Sequence, residues 1–518
     1  MADVMLVKDN LIEYVGWKKN ITIPQIYEQI SLEGRTILPG LGESHGHLLG
    51  IGRQQQILQL SVSKSEEEVA QLLKKWREKN PHVKIILGRG WNQNKWQKKS
   101  FPNSNLISTI CPDIPVILTR IDGHALWCNE MAMKLANVTA LTKSPTGGEI
   151  LHFSSGKPSG IFIDSAMPLI EKIIPPRKIE DETMALKMAL KECSKQGITL
   201  FHDAGLDKED IELLAKIHET EALPLRLHGM VNGLKEEQVK DFFEGRYQDL
   251  FNQQNENQIH LRSLKLFADG ALGSCGAHLE EDYAHRKNHR GLELLKPEQI
   301  THYATLALEK NIQVCTHAIG DQATLNTALA YEAAFKKQSI TSPQRHRFRI
   351  EHAQMINPEN LSLLSHYGII ASVQSNHFTS DMNFLPQFLG EKRSQSRVSL
   401  WQSMQKAGIL LAQGTDAPIE NLSPWENLVS ATTRHSIIPQ KESLTTFEAI
   451  KSYTVNSSFS SFFEHQTGRL KKNYSADFII LSEDPFSLAT PQLLKEIKVE
   501  ETYFQGKKIS FDNEKFLR

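Results

Sequence analysis

No uninterrupted apolar run in this chain of 518 residues approaches the roughly 18 residues that span a bilayer. The first ten residues carry acidic side chains and lack a long apolar stretch, so neither a secretory segment nor a membrane anchor is expected there. Excess charge is also missing: 59 Lys and Arg stand against 60 Asp and Glu, a net of −1. Bulk electrostatics therefore offers nothing to nucleic acid or to an anionic membrane. Cysteines are few and scattered, at Cys111, Cys128, Cys193, Cys275 and Cys315. An odd number without a CxxC spacing argues against a disulfide framework and for reduced, mostly buried thiols. Internal repeats, heptads and low-complexity tracts are absent as well. The expectation is a soluble cytoplasmic protein that handles a small molecule, has no nucleic-acid or membrane partner, and is homodimeric if it follows the commonest pattern.

What is present is a repeated alternation. Eight strand-like apolar runs follow the first thirty residues, at 36–42, 198–202, 224–228, 263–267, 313–316, 348–350, 369–373 and 409–412. Between several of them, at 181–195, 208–219, 298–310, 322–336 and 358–366, apolar residues recur at three- and four-residue spacing, the mark of amphipathic helices. Apolar strands alternating with such helices predict an α/β fold with a parallel sheet, and eight repeats predict a closed (β/α)₈ TIM-like barrel over residues 36–466. About 150 residues separate the first two runs, too many for a loop. They contain strand-like segments at 85–87 and 116–119, which predicts an inserted α+β subdomain at 52–180. A connection leaving the C-terminal end of a barrel strand emerges at the mouth, so the insertion is expected to roof the site. Alternating segments at 5–16, 476–481 and 501–509 predict antiparallel strands, and both termini, residues 1–35 and 467–518, are assigned to one composite β-sandwich.

Six residues that can bind metal fall on these strands or at their ends: His45, His47, Lys265, His317, His352 and Asp416. His45 and His47 flank Gly46, and the two-residue period of a strand points both rings the same way. Such a pair suits a cation clamp, or two histidines bonded to backbone. His317 and His352 end the fifth and sixth runs and fit either a ligand or a structural role. Asp416 follows the eighth run, where Gly414 permits a turn that aims the carboxylate inward; helix capping is the alternative. Lys265 alternates into the barrel lumen, where a charged amine is costly to bury. A salt bridge to Asp269 is one solution. The other is a pKa depressed from about 10.4, which frees neutral amine to take up carbon dioxide as a carbamate with two bridging oxygens. Six separate structural roles, all at strand ends, explain the pattern less economically than one centre holding two divalent cations about 3.5–4 Å apart.

Four motifs carry a resemblance: Pro39-Gly-Leu-Gly-Glu-Ser-His-Gly-His47, Leu264-Lys-Leu-Phe-Ala-Asp-Gly-Ala-Leu-Gly-Ser274, Ile350-Glu-His-Ala-Gln354 and Gly414-Thr-Asp-Ala-Pro418. They resemble the amidohydrolase superfamily. Within it, Gly88-Arg-Gly-Trp-Asn-Gln-Asn-Lys-Trp96, Leu118-Thr-Arg-Ile-Asp-Gly-His124 and Pro145-Thr-Gly-Gly-Glu149 are similar to the YtcJ-like branch, which includes N-substituted formamide deformylases. The resemblance runs from about Leu6 to Pro485. It implies a hydrolase of non-peptide C–N bonds, with His45, His47 and Asp416 on one metal, His317 and His352 on another, and carboxylated Lys265 between them. Zinc is the expected metal, although these ligands also take iron, manganese or cobalt. Glu43 departs from the family's usual Asp by one methylene, and its effect falls on the surroundings of the ligands.

The mechanism so implied is attack by a metal-bound hydroxide on an amide-like carbonyl, Asp416 passing the proton to the leaving nitrogen. His124 is the expected extra donor to the oxyanion. Trp91, Asp122, His202 and Gln374 are the candidate substrate-binding residues. Two alternatives stay open: a mononuclear, deaminase-like site with Lys265 as a salt-bridge partner, and a catalytically silent scaffold.

Overall fold

The computed structural model describes residues 2–23, 28–121, 123–251, 258–433 and 439–511. The chain divides into two compact units, residues 1–51 with 187–518, and residues 52–186.

The first unit is built on eight parallel strands: β1 (Leu41–Gly46), β2 (Ile198–Leu206), β3 (Arg226–Asn232), β4 (Ile259–Phe267), β5 (Gln313–Ala318), β6 (Arg349–His352), β7 (Ile370–Val373) and β8 (Leu411–Gln413). Each pairs with its neighbours in chain order. The ring closes just beyond β8, where the Asp416 amide donates to the His45 carbonyl at 2.7 Å and the His47 amide to the Ala417 carbonyl at 2.8 Å. All residues of β1, β6, β7 and β8 are buried, as expected for strands covered on both faces. Helices Lys208–Thr220, Pro297–Glu309, Asp321–Lys337 and Pro424–Thr432 lie between or after the strands, close to the periodic segments read from the sequence.

The lumen is polar and hydrogen-bonded. Ser263 on β4 donates to Gln313 on β5 at 2.7 Å and meets His228 on β3 at 2.8 Å. Higher up, the buried Arg349 guanidinium grips Glu351 through two bonds of 2.7 and 2.9 Å and also donates to the Ser44 carbonyl and the Ser372 hydroxyl. A buried charge persists only when paired and saturated in this way.

The first strand-like run, 36–42, is two strands. Thr36–Pro39 pairs antiparallel with Phe478–Leu481, which continues to Val499–Phe504 and Lys507–Lys508. The barrel strand begins only at Leu41. Gly40 marks the break, because a Cβ there would lie 2.1 Å from Thr199 Oγ1. The hairpin of Val4–Lys8 and Leu11–Gly16 packs Ile12 with Phe478, Ile480 and Tyr503. Asp477 pairs with Arg226, the first residue of β3, at 3.2 Å, which fastens this terminal sheet to the N-terminal ends of the barrel strands, away from the mouth.

The second unit holds a mixed six-stranded sheet, in the order Leu58–Gln59, Ile86–Trp91, Val116–Arg120, Ala125–Cys128, Pro158–Asp164, Gly148–His152. One core gathers Val69, Leu73, Trp91, Trp96 and Trp127, and the other Leu126, Met133, Phe162 and Ile170. Among the described residues, no helix is long and apolar enough to cross a membrane.

Candidate metal centre

The hydrogen bonds that close the barrel also assemble the site. By joining Asp416 to His45 and His47 to Ala417, they bring the ends of β1 and β8 together. His45 Nε2 then lies 3.7 Å, and His47 Nε2 3.3 Å, from Asp416 Oδ1. His45 is sealed within the barrel, whereas the His47 side chain is 37 % exposed at the mouth. A second triad shares the aspartate: the ligand atoms of His352, His377 and Asp416 all lie within 4.8 Å of one another, as do those of His45, His47 and Asp416. Asp416 (φ 58°) and His352 (φ 73°) both adopt left-handed backbone at their strand ends. Non-glycine residues in this region are strained, and such strain gathers at functional sites. Gly414 does not turn the chain as expected; it makes room, because a Cβ there would lie 2.2 Å from Glu43 Oε1 and 2.4 Å from the His45 amide nitrogen.

Whether cations fit can be judged from atoms left without partners. Asp416 Oδ1, His317 Nε2 and His377 Nε2 are buried and make no hydrogen bond, although unpaired buried polar atoms are rare. Burial, then the charge of Lys265, pushes the His45 pKa down to about 4. Burial, then His317, holds His352 well below its ordinary value. Burial would raise the Asp416 pKa, but the close approach of His47 and the nearby His45 and His377 outweigh it and hold the carboxyl below its usual range. His45 and His352 are thereby kept neutral and Asp416 ionised, the forms that bind a divalent cation; for His47 burial acts downward, but Asp416 outweighs it and raises the pKa.

Two of the imidazoles are oriented from behind. His45 donates its Nδ1–H to Glu351 Oε2 at 2.5 Å, and His352 its Nδ1–H to Gln374 Oε1 at 2.7 Å. Both Nε2 atoms therefore keep a lone pair facing the centre. Glu43 joins the two closing strands: Oε1 accepts from the amides of His45 at 3.0 Å and Thr415 at 2.8 Å, and Oε2 from the Thr415 hydroxyl at 2.9 Å. Its extra methylene is accommodated beside Gly414.

Lys265 is buried within the barrel, its Nζ 5.1 Å from the centre of the Phe267 ring. The salt bridge to Asp269 considered from the sequence does not form. Asp269 instead accepts from the amides of His278, Ile319 and Gly320 at 2.8–3.0 Å. Among the described residues, the lysine has no hydrogen bond or ion pair, and burial is the main cause lowering its pKa. The ring centres of His317 and His352 are 4.5 Å apart, but His317 Nε2 lies 3.4 Å from Asp269 Oδ1, and this histidine belongs to neither triad.

Two expected pocket residues are corrected by their surroundings. Trp91 is wholly enclosed in the core of the second unit, its indole N–H donating to the Leu118 carbonyl at 2.8 Å. His202 is likewise sealed, between Arg349 at 3.0 Å and Ser457 at 3.3 Å. Neither presents a surface to substrate. Gln374 orients His352. His124 is exposed, with Nδ1 2.9 Å from Asp164 Oδ1 in its own unit. Asp122 lies outside the described residues.

Sequence reasoning missed Glu351 and His377. Glu351 was within reach, since residues 349 and 351 share one face of a strand and an Arg–Glu pair inside a barrel must serve something. For His377 the signal was weaker: it sits three residues after Gln374 at the mouth end of β7.

A parallel (β/α)₈ barrel with histidines and an aspartate converging at the C-terminal ends of its strands defines a barrel protein with a candidate metal centre. More narrowly, the chain belongs to the amidohydrolase family, whose description matches residues 28–509. It is 31 % identical over 517 residues to YtcJ of Bacillus subtilis (strain 168), a protein named as an amidohydrolase, covering 96 % of this chain and 94 % of that one. It is 22 % identical over 518 residues to the N-substituted formamide deformylase of Arthrobacter pascens, covering 98 % and 94 %. Among solved structures, a metal-dependent hydrolase from Pyrococcus horikoshii OT3 superposes with a TM-score of 0.76 at 24 % identity, covering 93 % and 94 % of the two chains.

Proposed function

We propose that the protein is a metal-dependent hydrolase that cleaves an amide or related non-peptide C–N bond in a small molecule, with an N-substituted formamide as the leading candidate. The observation that carries this reading is the convergence of His45 and His47 on Asp416, whose Oδ1 is buried and without a hydrogen-bond partner. The name of the Arthrobacter relative supports the choice of bond.

In this reading His45, His47 and Asp416 hold one divalent cation, and His352 with His317 and Lys265 serves a second. Cations bound there supply Lewis acidity, polarising a carbonyl and lowering the pKa of water toward neutrality. Lys265 contributes as a carbamate: its neutral amine adds carbon dioxide, forms an N–C bond and loses one proton. Its burial and lack of an ion pair favour the neutral amine that this addition requires. Asp416, through a carboxylate oxygen released from its cation, accepts a proton from water and delivers it to the leaving nitrogen. Glu351 and Gln374 keep the imidazoles of His45 and His352 aligned through the cycle.

The test is to load the protein with zinc, measure its metal content, and screen it with and without chelator against formamides, other amides, ureas and lactams. Chelator-sensitive release of amine from at least one class is expected. A metal-loaded protein that turns over none of them returns the barrel to a scaffold role.

A further inference from the structure

We propose that His377 is a ligand of the second cation, with His352 and Asp416, so that Asp416 serves both sites. This rests on the metal-dependent reading above and extends it to a residue outside the motifs that suggested it. His377 lies in the short helix Ser375–Asp381, directly after β7. Its Nε2 is buried, makes no hydrogen bond, and lies 3.6 Å from Asp416 Oδ2. Across the site, the His352 ring is nearly parallel to it, at 18° and 5.8 Å between centres, with its own Nδ1 committed to Gln374. The two Asp416 oxygens thus divide their neighbours. Oδ1 faces His45 and His47, and Oδ2 faces His377. Two imidazoles and a carboxylate oxygen are a donor set for zinc or a similar divalent transition metal.

The position of His377 is built rather than incidental. Its neighbour Asn376 donates its amide to Asn427 Oδ1 at 2.7 Å and accepts from the Ser430 hydroxyl at 2.7 Å. Asn427 in turn donates to the Gly414 carbonyl at 2.8 Å and to Gln413 Oε1 at 3.1 Å. Ser375 reaches the same Gln413 oxygen at 2.9 Å. One asparagine therefore ties the helix bearing His377 to the strand end that leads into Asp416. That frame fixes the separation between imidazole and carboxylate, as a ligand pair requires.

The assignment is tested by titrating the metal-free full-length protein with cobalt, following visible d–d absorption and the metal retained after gel filtration. Wild-type protein is expected to take up two equivalents. His377→Ala is expected to keep the first and to weaken the second at least about tenfold, the lower bound set by losing a mere supporting partner of a ligand. His377→Gln, closer in shape, stands in if the alanine variant is poorly folded by circular dichroism. Two equivalents of unchanged affinity and spectrum in the variant overturn the assignment, even if KM rises, which would make His377 a substrate contact. One equivalent that the substitution leaves untouched overturns it too. Failure of wild-type protein to bind cobalt overturns the metal-dependent reading, and this assignment with it.

Discussion

His45 Nδ1 lies 2.5 Å from Glu351 Oε2, and both side chains are sealed from solvent. The carboxylate is therefore a fixed support behind the most deeply buried imidazole of the centre. Burial alone would raise the Glu351 pKa, but the charge of Arg349 and the bond from His45 outweigh it and keep the carboxyl well below its usual range. Arg349, Glu351 and His45 thus form a line from the barrel interior to the mouth, in which each group fixes the next.

Replacing Glu351 by Gln should disturb both ends of that line. The amide leaves the Arg349 charge uncompensated, which for a buried pair costs on the order of 3–5 kcal/mol. It also weakens the hold on the His45 tautomer, for which a loss of about 10–100-fold in metal affinity is typical. Urea unfolding and cobalt titration of Glu351→Gln measure the two effects. Unchanged cobalt affinity would mean that the carboxylate serves only Arg349.

Much of this architecture was legible because it depends on periodicity. All eight barrel strands lie at or within a few residues of apolar runs, and the longer barrel helices coincide with three- and four-residue spacing, whereas the 14-residue helix Glu66–Lys79 of the second unit was not read. What else escaped depended on close approach between distant segments. The run at 36–42 reads as one strand, and only the crowding of Gly40 by Thr199 shows why the chain changes sheets there. Gly414 looks like a turn residue until Glu43 and the His45 amide are seen where its Cβ would be. His202 and Trp91 have the chemistry of pocket residues, but enclosure is a property of the fold and not of residue type. His377 escaped because nothing local distinguishes it from a histidine on an ordinary helix.

Lys265 is where one-cation and two-cation centres diverge. If its carbamate bridges two cations, Lys265→Ala should lose about one of two equivalents of zinc by elemental analysis, and millimolar acetate or propionate should restore it by filling the space with a free carboxylate. A single equivalent in wild-type protein, indifferent to the substitution, fits the mononuclear, deaminase-like alternative.

Trp91 should behave as packing. Trp91→Phe keeps most of the buried ring but leaves the Leu118 carbonyl without the indole N–H. Because that carbonyl also faces Trp127 on the neighbouring strand, the cost is that of one lost hydrogen bond, about 0.5–1.5 kcal/mol, seen as an earlier thermal transition, while KM for any substrate found in the amide screen stays within twofold. A large rise in KM with unchanged stability would put the indole back at the substrate.

Gly414 offers the sharpest test of how closely β1 and β8 must meet. In Gly414→Ala the new methyl would stand 2.2 Å from Glu43 Oε1 and 2.4 Å from the His45 amide nitrogen. The Glu43 side chain could yield by rotating, at the expense of its bonds to Thr415. The His45 backbone has less freedom, because its carbonyl accepts the Asp416 amide that closes the barrel. Overpacking in a tight core typically costs about 1–3 kcal/mol, and a clash with backbone belongs at the upper end or beyond. The strands can relieve it only by separating, which moves His45 and His47 away from Asp416. Gly414→Ala should therefore lower the urea midpoint and the affinity for the first cobalt equivalent together. A variant that loses stability but binds cobalt as tightly as wild type would show that the closing hydrogen bonds do not set the geometry of the ligands.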